Sequence, residues 1–391
     1  MISRRLHRSP LALAAPDSRS VALWLPVALL AAALLVPAIA RSSRVRSGRT
    51  AVVPASGSGE SYTLHGSKVA VYNLAGAMVL EPATGSETIV EVNRAGGDAG
   101  QLEILTGQAE DRENVRVVYP GNRVVYPIMG HWMGHWSNST TRVRDDGTFG
   151  GDSHAHLWPD GRTVRIAGSG SGVEAHADVR VRVPRGTDVL IRLAVGDVKV
   201  TNVDSKLFVD TGSGAVVTSD TRGDLGIDTG SGAVSVARAQ GPVKIDTGSG
   251  GVTVNNVRGG ELSIDTGSGG VEASAIDVHA LTIDTGSGHV ELNEVTASSV
   301  HIDTGSGRVA VGLRNSIDDL DIDTGSGSVE VRLPKETGAM LALDAGSGGV
   351  DVDLPMTNVR RDQGELRGQM GDGSGHIMIE TGSGGIHISG R

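Results

Sequence analysis

The pentapeptide AspThrGlySerGly recurs through the second half of the sequence and carries the most regular set of ionisable side chains. Successive copies begin 18 to 20 residues apart, and an AspAlaGlySerGly copy follows 21 residues after the last. In a turn, an aspartate accepts hydrogen bonds from amides two or three residues further on, and glycine allows positive φ. The pattern therefore predicts a structural ladder of turn aspartates at Asp210, Asp228, Asp246, Asp265, Asp284, Asp303, Asp323 and Asp344.

The same pentapeptide has two alternative chemistries, proteolysis and calcium binding. An aspartic protease needs two carboxylates that share a proton across a cleft, whereas stacked copies would give a row of carboxylates along one edge. Calcium takes roughly six to eight oxygen ligands, which carboxylates and turn carbonyls could supply. Amide hydrogen bonds to a carboxylate contribute roughly 1.5–3 kcal/mol, against about 1 kcal/mol of repulsion between neighbours, so a metal is not required. We predict no catalytic residue, metal site or cofactor, and calcium stays an alternative.

A second group of candidate residues lies in a Gly-, His- and Trp-rich insertion at residues 120–172, where the repeats are interrupted. Imidazoles are common ligands of transition metals, and tryptophan rings can stack on sugars or insert into a protein partner. Gly130 and Gly134 disfavour the helix that would align the first two histidines. The structural alternative is that the insertion covers an edge of the repeat array. The candidate contact surface consists of His131, Trp132, His135, Trp136, His154, His156 and Trp158.

Short alternating segments on both sides of each pentapeptide predict the elements that position the aspartates. In one unit, Val243 and Ile245 alternate before the motif, and Val252 and Val254 alternate after it. Alternating β-branched residues are typical of strands, and a unit this short buries its apolar side only against its neighbours, ~4.8 Å away. We predict an all-β fold, a single-stranded parallel β-solenoid with coils of 18–21 residues that bury about five aliphatic side chains each. An antiparallel sandwich is the rival fold.

The repeat register suggests the limits of the solenoid. Residues 65–177 are predicted to hold its N-terminal strands with the 120–172 insertion, and residues 178–391 the regular stack. The segment Val69–Gly76 matches the strand and turn of Val252–Gly259, and the segment that follows Gly196 resembles a strand after the pentapeptide. The last residues, from Ile386, fall inside a coil, so we expect them to form an exposed sheet edge that a second copy could cover.

The N-terminal forty residues have the features of an export segment. Twenty uncharged residues, Val21–Ala40, follow several arginines and end in Ala-Ile-Ala, which predicts a signal peptide cleaved after Ala40. A retained membrane-anchor helix is the alternative, because such a segment would just span roughly 30 Å of hydrocarbon. Residues 41–64 are predicted to be a linker. The protein is expected outside the cytoplasm, as a periplasmic, surface or secreted protein that contacts the membrane only through residues 21–40 if these are uncleaved.

The composition excludes several classes of protein. The chain has 391 residues, of which 57 are glycine, none is cysteine and 3% are aromatic. Without cysteine there is no disulfide framework and no thiolate metal site. The formal net charge of -10, with no basic track in the coils, disfavours a nucleic-acid partner.

The export segment, the opening ValAlaValTyrAsnLeuAlaGly strand and the serial IleAspThrGlySerGly coils together resemble the bacterial putative-adhesin family, a β-solenoid domain of unknown function. The resemblance covers roughly residues 65–391 and implies the fold and, by the family's name, surface adhesion. We expect an exported non-enzymatic adhesin or envelope scaffold that binds a surface glycan or envelope protein. The alternatives are an envelope-stress sensor held by the N-terminal anchor and a glycan-active β-helix enzyme.

Overall fold

The computed structural model describes residues 59–127, 138–150 and 161–391, and over these the chain is almost entirely β-strand. The predicted export segment and most of the predicted linker lie outside the described residues. Within the described ranges, no helix has the length and apolarity needed to cross a membrane. The predicted all-β class is confirmed.

The N-terminal part of the chain builds the first strands and the insertion. Its elements are β1 (Glu60–Leu64), β2 (Lys68–Ala75), β3 (Met78–Pro82), β4 (Thr88–Ala95), a 3₁₀ turn (Ala99–Gln101), β5 (Glu103–Ala109), β6 (Arg112–Val118), β7 (Arg123–Val125), β8 (Asn138–Val143), β9 (Arg162–Ala167), β10 (Val173–Glu174) and β11 (His176–Val183).

The repeat region builds the remaining strands. They are β12 (Asp188–Val195), β13 (Val198–Thr201), β14 (Lys206–Ser213), β15 (Val216–Ser219), β16 (Leu225–Ser231), β17 (Val234–Ala237), β18 (Val243–Thr247), β19 (Val252–Asn255), β20 (Glu261–Thr266), β21 (Val271–Asp277), β22 (Ala280–Thr285), β23 (Val290–Thr296), β24 (Ser299–Thr304), β25 (Val309–Leu313), β26 (Asp319–Thr324), β27 (Val329–Leu333), β28 (Ala339–Asp344), β29 (Val350–Val352), β30 (Met356–Arg361), β31 (Glu365–Met370), β32 (Gly375–Thr381) and β33 (Ile386–Gly390).

Two long sheets run along the repeats. Sheet A has the order β1-β4-β11-β3-β13-β15-β17-β19-β21-β23-β25-β27-β33-β29, and sheet B has the order β30-β31-β28-β32-β26-β24-β22-β20-β18-β16-β14-β12-β2-β6-β5. A coil enters through a strand of sheet B, passes the Gly-Ser-Gly turn and leaves through a strand of sheet A, parallel to the coil before it. These long parallel stacks are consistent with the predicted β-solenoid. A smaller sheet C, of order β10-β7-β9-β8, belongs to the insertion.

The core lies between sheets A and B and consists of columns of register-paired aliphatic side chains. In one coil, Val243 and Ile245 of sheet B face Val252 and Val254 of sheet A, with Val257 closing the coil, and each is at most 2% exposed. Full burial of such a side chain contributes roughly 1.5–3 kcal/mol. Because the pleat alternates, the residues between them face solvent. Five buried aliphatic residues in this coil agree with the number expected from the sequence.

The glycines of the pentapeptide are required by the approach of neighbouring coils. A Cβ added to Gly267 would lie 2.6 Å from the carbonyl oxygen of Gly248, and one added to Gly269 would lie 1.8 Å from that of Gly250. Neither Gly267 nor Gly269 has positive φ. The sequence predicts a conformational role for these two glycines, whereas in the structure their role is steric, because a backbone carbonyl occupies the space of a side chain.

The first coil is offset by one strand from the match predicted by sequence. Val69 of β2 aligns through Val189, Leu207 and Leu225 with Val243, so it belongs to sheet B and not beside Val252 in sheet A. The predicted match was wrong because strands on both sides of the turn share one alternating pattern. The predicted strand after Gly196 is confirmed as β13, which pairs in parallel with β15 in sheet A.

Antiparallel strands close the N-terminal end of both sheets. In sheet A, β4 pairs with β1 and β11, and in sheet B, β5 pairs with β6. Beneath them, the Tyr119 hydroxyl donates to Asn73 Oδ1 at 2.8 Å or to the Ala75 carbonyl at 2.9 Å. Asn73 occupies the position that threonine holds in later coils. Complete burial raises the pKa of the Tyr119 phenol, and its hydrogen bonds join this cap to β2.

The C-terminal coils do not stack in chain order. Strands β32 and β33 lie between the coil of β26 and β27 and the coil of β28 and β29. The expectation that residues from Ile386 onward form an exposed sheet edge was therefore wrong, since β33 is hydrogen-bonded on both sides. The edges at this end are β29 and β30, and β30 carries Arg360, Arg361 and a register shift between Thr357 and Arg360. Charges and irregularities of this kind oppose edge-to-edge pairing.

The steric role of the turn glycines gives a first test. Gly269→Ala is expected to lower the free energy of unfolding by roughly 1–3 kcal/mol or more, because the new methyl group collides with a backbone oxygen. Gly251→Ala is the control, since Gly251 is exposed and its nearest contact for a Cβ is 3.8 Å away. Urea unfolding measures both changes. Equal stability of the two variants would contradict the steric explanation.

Candidate binding face

The predicted aspartates form a continuous column on the outer surface of sheet B. Register pairs join Asp210 to Asp228, Asp246, Asp265, Asp284, Asp303 and Asp323 in turn. The column then continues through Glu380 to Asp344, because the coils change order. From Asp228 onward each carboxylate-bearing residue is exposed. Neighbouring positions in the column are one strand spacing apart, ~4.8 Å.

In two of the turns, the hydrogen bond predicted for aspartate is instead accepted by the threonine that follows the acidic residue. Thr266 Oγ1 accepts a hydrogen bond from the Gly269 amide at 3.0 Å. Thr381 Oγ1 accepts from the Gly384 amide at 3.1 Å and donates to the Gly327 carbonyl of the neighbouring coil at 2.9 Å. Among the ladder aspartates, Asp344 makes the predicted contact, accepting from the Gly346 amide at 2.9 Å.

Strand parity explains this division of roles and was visible in the sequence. Aspartate stands between an inward isoleucine and threonine, so a strand that continues to the threonine must turn the aspartate outward. The threonine hydroxyls are buried, and those of Thr211, Thr229 and Thr247 have no hydrogen-bond partner within the described residues. The outer column is therefore free to contact other molecules, while the inner column belongs to the stack.

The N-terminal end of the column is covered by the insertion. Arg192 stands at the aspartate position of the preceding coil and forms an ion pair with Asp210. Tyr72 stands one coil earlier, and its ring meets Phe149 edge-on at 5.9 Å. Burial lowers the pKa of Arg192 and raises the pKa of Tyr72 to about 12. Only the column from Asp228 onward is left open to solvent.

The first member of the open column, Asp228, has a perturbed pKa. Desolvation, followed by the charge of Asp246, raises the pKa of Asp228 from 3.8, while Arg192 and Lys244 act against the shift. The column is thus a negatively charged surface held at fixed spacing by strands.

A groove lies at the other end of the same face, where the coil order changes. Its volume is about 500 Å³, and it is lined by Asp319, Asp321, Met340, Leu341, Ala342, Asn358, Arg367, Gly368, His376, Ile377 and Met378. Met340 and Met378 are 45% and 44% exposed, and Val359 on the adjoining hairpin is 46% exposed. Sequence reasoning missed this groove, because the strands that form it are not consecutive in the chain.

A group of possible metal ligands lies on sheet A at the same end. The ligand atoms of Asp351, Asp353 and His387 lie within 4.8 Å of one another. His387 Nδ1 is 3.4 Å from Asp351, and Nε2 is 3.7 Å from Asp353. The ring thus stands between the two carboxylates, with one nitrogen toward each. This group also depends on the changed coil order.

The predicted aromatic and histidine contact surface falls outside the part of the chain that the structure describes. Its histidines and tryptophans all lie at 128–137 or 151–160, outside the described residues. The flanking strands β7, β8 and β9 belong to sheet C, where β9 pairs in parallel with β7 and antiparallel with β8. The contact surface therefore stays a prediction.

Comparisons with known proteins give one family and one structural likeness. A family model described as Toastrack DUF4097 matches residues 164–389. No curated protein matches the chain. Among solved structures, the chain is similar to a "putative cell adhesion protein" from Clostridium sporogenes at 9% identity and a TM-score of 0.21, over 85% of this chain and 100% of the other.

The opposite roles of the two columns give a second test. Asp265→Asn is expected to raise the free energy of unfolding by about 2 kcal/mol at low ionic strength, because it removes about 1 kcal/mol of repulsion from each of two neighbours, and the gain should shrink in salt. Thr266→Val is expected to lower it by about 1–3 kcal/mol, because the Gly269 amide loses its acceptor. Urea unfolding with calcium and with a chelator measures both. Destabilisation of Asp265→Asn specific to calcium would instead support the calcium ladder.

The raised pKa of Asp228 predicts the sign of a pH effect. A carboxyl that binds its proton more tightly in the folded state stabilises the fold below its ordinary pKa, and that stability is lost as the pH rises through the folded value. Between about pH 4 and pH 7, the wild type should therefore lose more stability than Asp228→Asn. Thermal unfolding at both pH values measures the difference. A smaller loss in the wild type would contradict the assignment, and high salt should reduce the contribution of Asp246.

Proposed function

Because the chain belongs to the Toastrack DUF4097 family, we propose that it is an exported, non-enzymatic β-solenoid that acts as an adhesin or binding scaffold of the cell envelope. The family match also confirms the resemblance predicted from the repeats. The proposed contact surface is the outer face of sheet B. The protein functions outside the cytoplasm, delivered by the segment Val21–Ala40.

The observation that carries this proposal is the open column of carboxylates from Asp228 to Asp344. Its side chains project from paired strands at a repeat of ~4.8 Å, so their spacing is set by the backbone. Binding to a preorganised surface does not incur the entropy cost of ordering flexible loops. A flat array of this kind suits a repetitive or extended partner better than a small substrate, which is bound in a concave site.

The chemistry of the column indicates the class of partner. Carboxylates accept hydrogen bonds from hydroxyl groups and attract cations, but they repel phosphates. A surface glycan or a basic envelope protein therefore fits, and a nucleic acid does not. The tryptophans of the insertion, Trp132 and Trp136, are a second proposed contact, because aromatic rings also stack on sugars.

A comparison of the two solenoid faces tests the proposal. Asp265→Asn with Asp284→Asn removes two adjacent carboxylates from sheet B, and Glu272→Gln with Glu291→Gln removes two register-paired carboxylates from sheet A. We expect the first pair to weaken binding of the exported protein to isolated envelopes about tenfold, and the second pair to leave binding within about twofold. Co-sedimentation measures both.

The same purified protein also tests export, and two results would contradict the proposal. Equal binding by the two double variants would exclude the outer face of sheet B as the contact surface. A first residue of Arg41 in the purified protein supports cleavage after Ala40. Retention of Met1 in a membrane fraction would instead support the anchored sensor.

A further inference from the structure

We propose that the groove at the C-terminal end of sheet B is a docking site for an extended, cationic peptide segment that carries apolar side chains. This inference deepens the proposed function and rests on it, since it names the partner of one part of the contact face.

The floor of the groove is apolar and adaptable. Met378 of β32 and Ala342 of β28 are register partners, as are His376 and Met340, and all four lie on the outer face of the sheet. Of the four exposed large apolar residues among the described residues, Met340 and Met378 line the groove, and Val359 lies beside Gly368 of its lining. Methionine side chains adjust to different apolar partners, which makes them frequent in peptide-binding surfaces. The residues that line the groove include no Trp, Tyr or Phe on which a sugar would stack.

The wall formed by β26 is strongly acidic. Asp319, Asp321 and Asp323 alternate along this strand, so the three carboxylates share the outer face about 7 Å apart. Asp321 Oδ2 lies 3.2 Å from Nδ1 of His301 on the neighbouring strand. Glu380, in register with Asp323 on the next strand, extends the negative charge toward the groove floor.

The opposite side of the groove carries the positive charge, from Arg367 of β31 and from Arg360, its register partner on the edge strand β30. Arg367 of β31 is in register with Ala342 of β28, three strands from β26 and so about 14 Å from its wall. Its guanidinium lies 4.0 Å from the Glu365 carboxylate. The groove is therefore complementary to a ligand with cationic groups along one side and apolar groups beneath.

The adjoining edge strand indicates how the ligand lies. β30 ends sheet B, but its register shifts at Thr357 and Asn358 has φ of 54°. An irregular edge is a poor template for an added strand. The peptide is accordingly expected to cross the face of the sheet, with side chains on the methionines, and not to extend the sheet.

Fluorescence anisotropy with three labelled hexapeptides tests the proposal on the exported protein. The peptides are Lys-Leu-Lys-Leu-Lys-Leu, its acidic counterpart Glu-Leu-Glu-Leu-Glu-Leu and its apolar-poor counterpart Lys-Ser-Lys-Ser-Lys-Ser. We expect the first to bind at least about tenfold more tightly than either of the others, and its affinity to fall with added salt.

Variants then locate the binding. Met340→Ser with Met378→Ser is expected to weaken binding of the Lys-Leu peptide about tenfold, and Asp321→Asn to weaken it about threefold with a shallower salt dependence. Phe208→Ser is the matched control, because Phe208 is 38% exposed on the same face far from the groove, and it should leave binding unchanged. If the double methionine variant fails to fold, Met378→Gln replaces it.

The outcomes separate this inference from the proposed function. Absence of binding, equal binding of the three peptides, or full binding by the methionine variants would overturn the docking site. Loss of peptide binding in Asp265→Asn with Asp284→Asn would also overturn it, because the site would then be the open column. Envelope binding that depends on sheet B would leave the proposed function standing in each case.

Discussion

The structure depends on the close approach of turn backbones in successive coils. Parallel strands one spacing apart bring the carbonyl oxygen of one turn to within 1.8 Å of where a Cβ on Gly269 would be. With glycine there, the strands before and after the turn stay in register through coil after coil. The aliphatic columns then fall directly above one another and exclude water, which provides the main stabilisation. The backbone contact between turns therefore fixes the glycine positions of the repeat, and the alternating side-chain pattern follows from the register that it sets.

The close stacking of coils also assigns stability and surface chemistry to different residues of the repeat. Threonine faces inward and hydrogen-bonds between turns, as Thr381 does, whereas aspartate faces outward and makes few contacts in the column. Neighbouring carboxylates repel, by about 1 kcal/mol per pair in water, so the column costs stability that buried aliphatic residues offset. Because the carboxylate column destabilises the fold by charge repulsion, a binding role for this surface is the best explanation of its presence.

The period, the class of fold and the composition of the core were predictable because each follows from local alternation and from spacing along the chain. The assignment of Val69 to sheet B was not predictable, since the strands before and after the turn have the same apolar alternation and differ only in the strands they pair with. Nor was the order of the last coils. Ile377 and Ile379 match the sheet B columns as well as Leu341 and Leu343 do, so the pattern is indifferent to which strand comes next. The aspartate column could be located from the sequence. Its outward direction followed only from the alternation of the strand, in which the inward Thr266 forces the preceding aspartate to face outward.

The changed coil order connects the fold to its most distinctive surface. Were β28 stacked directly on β26, the outer face would run from Asp321 to Ala342 with no Met378 between them. Inserting β32 widens the face by one strand, about 4.8 Å, and places Met378, flanked by His376 and Glu380, between the acidic strand and β28. The regular coils carry the carboxylate column, and the changed order of the C-terminal coils gives the same face a concave site. Local departures from a repeating pattern are where functional surfaces are expected, because a repeat optimised for stacking has no reason to expose methionine.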